Sequence, residues 1–204
     1  AINNLKTGEI LLIAGKGHEK TQDFGKRKIY FSDKKIILEE IKTKNFDLAS
    51  NLKLNILKEL SNQKKLPSNL FINKGRINSR EVKKDDIFFA IKGKKKDGNK
   101  FIRQSFQNKA SLAVVNKIEK TLKNKRQIKV KNTLKFLTEA SKIFRKNINT
   151  KIISITGSCG KTTLKELLGN SLNKISKVSV SPRSYNNKYG VPLSLFNLKQ
   201  TDRY

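Results

Sequence analysis

Thr156-Gly157-Ser158-Cys159-Gly160-Lys161-Thr162-Thr163 follows the apolar residues Ile152, Ile153 and Ile155 and leads into Leu164, Leu167, Leu168 and Leu172, spaced along one helical face. This pattern reads as a strand, a glycine turn and the start of a helix. Gly157 and Gly160 let the backbone bend so that successive amide N–H groups face a polyphosphate lying on the positive end of the helix dipole. Lys161 can then reach the terminal phosphates, and the Thr162 hydroxyl can bind magnesium. The expected site is a triphosphate cradle made of Gly157, Ser158, Cys159, Gly160, Lys161, Thr162 and Thr163, with ATP and Mg2+ as cofactors.

Ile155 stands where the longer phosphate-loop pattern has its first glycine, so the loop is a short variant. The string TGSCGKTT resembles the nucleotide loop of the Mur ligase superfamily, the ATP-dependent ligases that build the peptidoglycan stem peptide. Cys159 occupies a position where that family often carries Asn or Ser. It reads either as a small filler or as a thiol made reactive by the neighbouring helix N-terminus.

The chain carries 46 basic and 16 acidic residues, a formal charge of +30. Such a balance raises nucleic acid or an anionic membrane as a partner. The distribution argues against both. Lys is spread through helices, loops and strand ends, Arg is much scarcer, and no aromatic interleaving accompanies the runs at residues 94–96 and 123–126. The charge can still attract a diphosphate-bearing substrate over long range. The single cysteine excludes an internal disulfide and fits a reducing cytosol. No apolar run approaches the ~20 residues needed to span a bilayer. A monomer is expected. The opening Ala-Ile-Asn-Asn lacks an initiator Met and reads as continuing from an upstream segment.

Three blocks follow from the pattern. In residues 1–44, segments 9–14 and 28–31 read as strands. Ser32-Asp33 can cap a helix carrying Ile36, Ile37, Leu38 and Ile41. Between the strands lies Gly15-Lys16-Gly17-His18-Glu19. With its surroundings this motif resembles the C-terminal end of the Mur ligases that add the third stem-peptide residue. The resemblance implies that Gly15 and Glu19 face meso-diaminopimelate, whose distal ammonium a carboxylate can pair. The arginine-bearing partner motif of that branch is absent.

Residues 46–148 open on a helix candidate at residues 52–60. The specific text is Asn78-Ser79-Arg80, then Asp85-Asp86-Ile87-Phe88-Phe89-Ala90-Ile91-Lys92-Gly93, then Asp97-Gly98. It resembles the N-terminal, UDP-binding domain of the Mur ligases that add D-alanyl-D-alanine. Where that branch has an acid and a histidine, this chain has Asn78 and Asn99. The resemblance places Ser79 and Arg80 near the uridine nucleotide; otherwise Arg80 is a surface cation. Phe88, Phe89 and Ile91 read as a buried strand, residues 112–115 and 128–130 as further strands. Leu134, Leu137, Ala140, Ile143 and Phe144 read as a helix.

Residues 149–204 hold the phosphate loop, a strand candidate at residues 178–180, and Ser184-Tyr185-Asn186-Asn187-Lys188-Tyr189-Gly190-Val191-Pro192. This string again resembles the D-alanyl-D-alanine-adding branch. Asn186 and Asn187 read either as contacts to the UDP substrate or as turn formers. Gly190 and Pro192 punctuate the start of a helix with Leu193, Leu195 and Phe196.

The expected fold is α/β: a small α/β UDP-binding domain, then the beginning of a P-loop parallel-sheet ATPase domain, preceded by a short α/β tail of another ligase domain. The resemblance implies a ligase joining UDP-N-acetylmuramoyl-peptide and D-alanyl-D-alanine, with the two branches fused. It also implies that the magnesium-binding glutamate, modified lysine and C-terminal domain of the family lie beyond Tyr204, so that this stretch alone does not ligate. The competing readings are a related ligase such as a folyl-polyglutamate synthase, and a basic nucleic-acid-binding protein.

Overall fold

A computed structural model describes residues 1–5, 9–15, 19–63, 66–67, 70–93, 96–122, 126–182, 185 and 187–204. His18, Ser184 and Asn186 of the motifs above therefore lie outside the described residues. The chain divides into two compact units, residues 1–48 and residues 49–204.

In the first unit β1 (Thr21–Asp23) pairs antiparallel with β2 (Lys28–Tyr30), Gln22 opposite Ile29. The turn between them places Gly25 at φ +77°, and the Asp23 carboxylate accepts from the Gly25 N–H. The strand expected over residues 9–14 is not formed. Ile10 and Leu12 there are almost fully exposed. A strand needs a neighbour for its backbone groups, and the described sheet of this unit is made by β1 and β2 alone. Ser32 Oγ accepts from Lys35 N–H at the start of α1 (Asp33–Ser61), as the sequence indicated. The two helices expected on either side of residue 45 are one continuous helix, because neither Gly nor Pro interrupts residues 33–61.

The second unit is organised around four parallel strands in the order β3 (Gly75–Arg76), β4 (Ile87–Phe89), β5 (Leu112–Val115) and β6 (Gln127–Lys129). Register runs Gly75 to Ile87, Ile87 to Leu112, and Ala113 to Gln127. Both faces are covered, which is why β4 and β5 are apolar at every position. On one face Ile87, Phe89, Leu112, Val114 and Ile128 meet the second half of α1 and α3 (Thr133–Lys146) through Leu54, Leu57, Leu137 and Phe144. On the other, Phe88, Ala113 and Val115 pack with Val82 and with Ile102 of α2 (Ile102–Gln107). Each such Val, Leu, Ile or Phe side chain contributes about 1.5–3 kcal/mol relative to exposure.

Of the last block, α4 (Lys161–Asn173) and α5 (Gly190–Phe196) are formed. The strands expected at residues 152–155 and 178–180 are not. Instead three extended segments are tied by single backbone bonds: Lys151 N–H to Arg203 O, Arg203 N–H to Lys177 O, and Ser179 N–H to Tyr204 O. Isolated bonds of this kind do not build a ladder, and Ile152 and Ile153 remain almost half exposed. The leucine face of α4 is likewise open, with Leu164 53% and Leu167 61% exposed. α5 behaves differently. Leu193 and Phe196 enter the core of the four-stranded sheet, Phe196 meeting Phe89 edge-on at 5.5 Å and Phe144 at 5.9 Å. The expected division at residue 148 therefore falls between segments whose side chains share one core.

Inside that core lies a cation. Lys53 is 4% exposed; its Nζ donates to Asn73 O at 2.6 Å and stands 5.2 Å from the ring centres of both Phe144 and Phe196. Desolvation lowers its pKa to about 8, outweighing the attraction of Asp86, while Lys74 adds to the lowering. The folded chain thus binds this proton less well than the unfolded chain. The cost is full below pH 8 and relieved as pH rises toward the unfolded value. Between pH 8 and 10 the unfolding free energy should rise by about 2 kcal/mol through this group. Urea unfolding of Lys53→Met should show a rise smaller by that amount; equal slopes in both proteins would rule the account out.

Candidate functional site

Residues 156–160 form a loop on the N-terminus of α4, with Gly157 at φ +145° and Gly160 at φ +73°. These are backbone conformations that a side chain resists, so both glycines are required by the turn. Ser158, Cys159, Gly160, Thr162 and Thr163 are exposed. Among the described residues, the N–H groups of residues 157–160 donate to no protein acceptor. They are available to a ligand at the positive end of a 13-residue helix.

Lys161 is the first residue of α4 and folds back over this loop. Its Nζ donates to Gly157 O and, at 3.0 Å, to Ser158 O. The amine is held among loop carbonyls, not against apolar side chains. A phosphate entering the turn would exchange neutral carbonyl acceptors for charged oxygens, which make the stronger hydrogen bond. The Thr162 hydroxyl is exposed at the next position. Among the described residues no cluster of three or more His, Cys, Asp or Glu side chains could hold a metal ion. The Thr162 hydroxyl is an oxygen donor of the type magnesium takes together with phosphate oxygens.

The second candidate region lies just beyond the C-terminal end of β3, the side on which open parallel sheets bind ligands. A 3-10 turn over Ser79–Glu81 is capped by Asn78, whose Oδ1 accepts from Arg80 N–H and whose Nδ2 donates to Glu81 Oε1. Asn78, in place of an acid, still supplies the capping oxygen. Ser79 is buried; its hydroxyl donates to Gln104 Oε1 at 2.6 Å, and its carbonyl accepts from Asn108. Arg80 is exposed beside it. Arg76 donates to the fully buried Asp86 at 2.9 Å, and Asp86 also accepts from the N–H groups of Lys74 and Lys83. Asn99 is bonded internally as well. Its Nδ2 donates to Asp97 and its Oδ1 accepts from Asn116 and Lys117 N–H, which fixes the Asp-Gly turn to the end of β5. The Asn99 side chain holds the Asp97 carboxyl below the usual carboxylate range.

The third region adjoins the second. Asn187 Oδ1 accepts from Tyr189 and Gly190 N–H, so this side chain caps the start of α5. Gly190 is required by close approach, since a Cβ would stand 2.7 Å from Tyr185 Cα. A cavity of about 170 Å³ lies between Arg76, Ile77 and Glu81 on one side and Pro182, Tyr185 and Asn197 on the other. Arg76, Gln104 and Asn197 were not anticipated from the sequence. Their partners are distant in the chain, and no local spacing marks them.

In the first unit, Gly15 sits against α1: a Cβ there would stand 2.6 Å from Asp33 Oδ2. Glu19 is exposed. Residues 16–18 between them lie outside the described residues.

Two family matches cover most of the second unit. Residues 72–145 match the Mur ligase family catalytic domain, and residues 155–204 match the Mur ligase middle domain. The chain belongs to the Mur ligase family. It is 34% identical over 137 residues to the UDP-N-acetylmuramoyl-tripeptide–D-alanyl-D-alanine ligase of Buchnera aphidicola, covering 67% of this chain and 30% of that ligase. A solved MurF-type ligase from Acinetobacter baumannii is similar with a TM-score of 0.62 and 28% identity, over 74% of this chain and 34% of that one. The MurF ligase from Thermotoga maritima, solved in complex with ADP, is similar with a TM-score of 0.52 and 33% identity, over 63% of this chain and 30% of that one. The chain thus spans about three tenths of the length of the curated relative.

Loss of the Asn187 cap in Asn187→Ala should cost about 1 kcal/mol of stability, whereas Asn187→Asp should cost only a few tenths. Urea unfolding of the two variants checks this, and equal losses would remove the capping assignment.

Proposed function

We propose that residues 46–204 supply the UDP-substrate and ATP-phosphate portions of a MurF-type ligase, which joins D-alanyl-D-alanine to UDP-N-acetylmuramoyl-tripeptide. The observation that carries this reading is the open amide turn of residues 157–160 on the start of α4, with Lys161 folded over it. The solved relative in complex with ADP supports it.

In the ligation a substrate carboxylate oxygen attacks the γ-phosphorus of ATP, the bond to the ADP oxygen breaks, and an acyl phosphate forms. The amine of the dipeptide then attacks the acyl carbon, loses a proton, and expels phosphate as the amide bond forms. The loop amides hold the phosphates in line, and Lys161 offsets negative charge on the migrating phosphoryl group. The Thr162 hydroxyl would help hold Mg2+, which shields the phosphate oxygens when bound. Arg80, exposed beyond β3, is suited to the diphosphate of the sugar nucleotide. Asn187 lends its oxygen to the α5 cap and so shapes the loop on the opposite side of the cavity. In the same reading residues 1–44 are the end of a MurE-type ligase fused ahead of the MurF-type sequence. Gly15 and Glu19 come from its diaminopimelate site.

Calorimetric titration tests the core of this reading. Lys161→Ala should bind ATP at least about tenfold more weakly, the loss of one charge-assisted phosphate contact, and leave UDP-N-acetylmuramoyl-tripeptide binding unchanged. Undiminished ATP affinity would remove Lys161 from its role. Tight retention of duplex DNA with a steep salt dependence, in place of either small ligand, would favour the nucleic-acid alternative raised by the charge of +30.

A further inference from the structure

Gly75 and Asn197 grip each other through both polar groups of one backbone residue and both ends of one side-chain amide. Gly75 N–H donates to Asn197 Oδ1 at 2.6 Å, and Asn197 Nδ2 donates to Gly75 O at 3.0 Å. β3 is an edge strand of the sheet. On its inner side Ile87 N–H donates to Lys74 O, which leaves the N–H and C=O of Gly75 facing outward. The Asn197 amide meets these two groups as another strand would.

The contact has no slack. A Cβ on Gly75 would stand 3.0 Å from Phe196 Cδ1 and from Phe89 Cε2, and 3.1 Å from Leu193 Cδ1. The end of α5 therefore lies directly on the β3 backbone, and the paired bonds select one position along the strand. Each partner leads to a candidate substrate segment. From Gly75 the chain passes Arg76 and Ile77 to Ser79 and Arg80; α5 is preceded by Tyr185 and the Asn187 cap. Gly75, Arg76 and Ile77 of the first run, and Tyr185, Leu193 and Asn197 beside the second, line the cavity described above.

We infer that Asn197 is a positioning residue: its amide sets the register between the turn bearing Ser79 and Arg80 and the loop bearing Tyr185 and Asn187, and so fixes the cleft that holds the sugar-nucleotide part of the substrate. The inference rests on the reading of residues 46–204 given above. Asn197 need not touch the ligand; it holds the walls.

The test compares two variants at this position. The carboxylate introduced by Asn197→Asp would accept from Gly75 N–H but face Gly75 O with a second acceptor, and Asn197→Leu lacks both bonds. Titration calorimetry at pH 8 with UDP-N-acetylmuramoyl-tripeptide should show each variant binding about tenfold more weakly than wild type. ATP affinity, measured alongside, should match wild type in both. A parallel loss of ATP affinity would assign the effect to general unfolding and overturn the inference. So would Asn197→Asp or Asn197→Leu binding the sugar nucleotide like wild type. Failure of wild type itself to bind the sugar nucleotide would overturn the functional reading and this inference together, a result distinct from the others.

Discussion

The missing side chain at Gly75 is the constraint on which the second unit depends. Because nothing projects from that point of β3, Phe196 and Leu193 can rest on the strand backbone, and Phe196 can reach Phe89 and Phe144. That single close approach draws a helix from the last block into the core of the sheet. A side chain at residue 75 would require Phe196, Phe89 and Leu193 each to give by a few tenths of an ångström in a close-packed interior, where small volume changes are felt. The loop that precedes α5 is positioned as a consequence.

Lys53 belongs to the same junction. Its amine sits between the rings of Phe144 and Phe196 and satisfies Asn73 O, so one cation touches α3, α5 and the segment leading into β3. The favourable ring faces and the hydrogen bond offset part of the desolvation that lowers its pKa. An apolar residue would fill the space at lower cost, but it would leave the Asn73 carbonyl without this donor. The charge therefore trades stability for a defined arrangement of three elements around Phe196.

What could be read in the sequence was local. The phosphate loop announces itself through Gly157, Gly160, Lys161 and Thr162 within one turn, and the structure forms that turn. The strands at Phe88 and at residues 112–115 were readable because burial on both faces demands unbroken apolar runs. The segment at residues 9–14 has the same apolar character and is not a strand, since pairing depends on a neighbour that the local sequence does not encode. Residues 152–155 fail for a related reason: among the described residues, the extended segment they belong to is tied to the segment at residue 203 by the one backbone bond from Lys151 N–H. Asn197 was invisible because its partner is separated by 122 residues. Ser79 was identified as a candidate contact, but its burial and its bond to Gln104 could not be seen without the packing of α2 against the turn.

Two buried carboxylates show how a chain with so few acids uses them. Asp86, fully buried, gathers Arg76 and the N–H groups of Lys74 and Lys83, bracing the start of β3 against the turn before β4. Asp202, 6% exposed, accepts from Ser179 Oγ and Lys199 N–H, while its carbonyl accepts from Thr150 Oγ1. It ties together the three segments that flank the phosphate loop. A buried carboxylate is tolerated only when several donors surround it, and such a set is directional. Each acid thus acts as a local template: one holds the backbone that leads to Arg80, the other the backbone that leads to Thr156. The net charge of +30 favours the approach of anionic ligands in general and cannot by itself select one; on the proposed reading, that selection would rest on the geometry that Gly75, Asn197 and these two carboxylates impose.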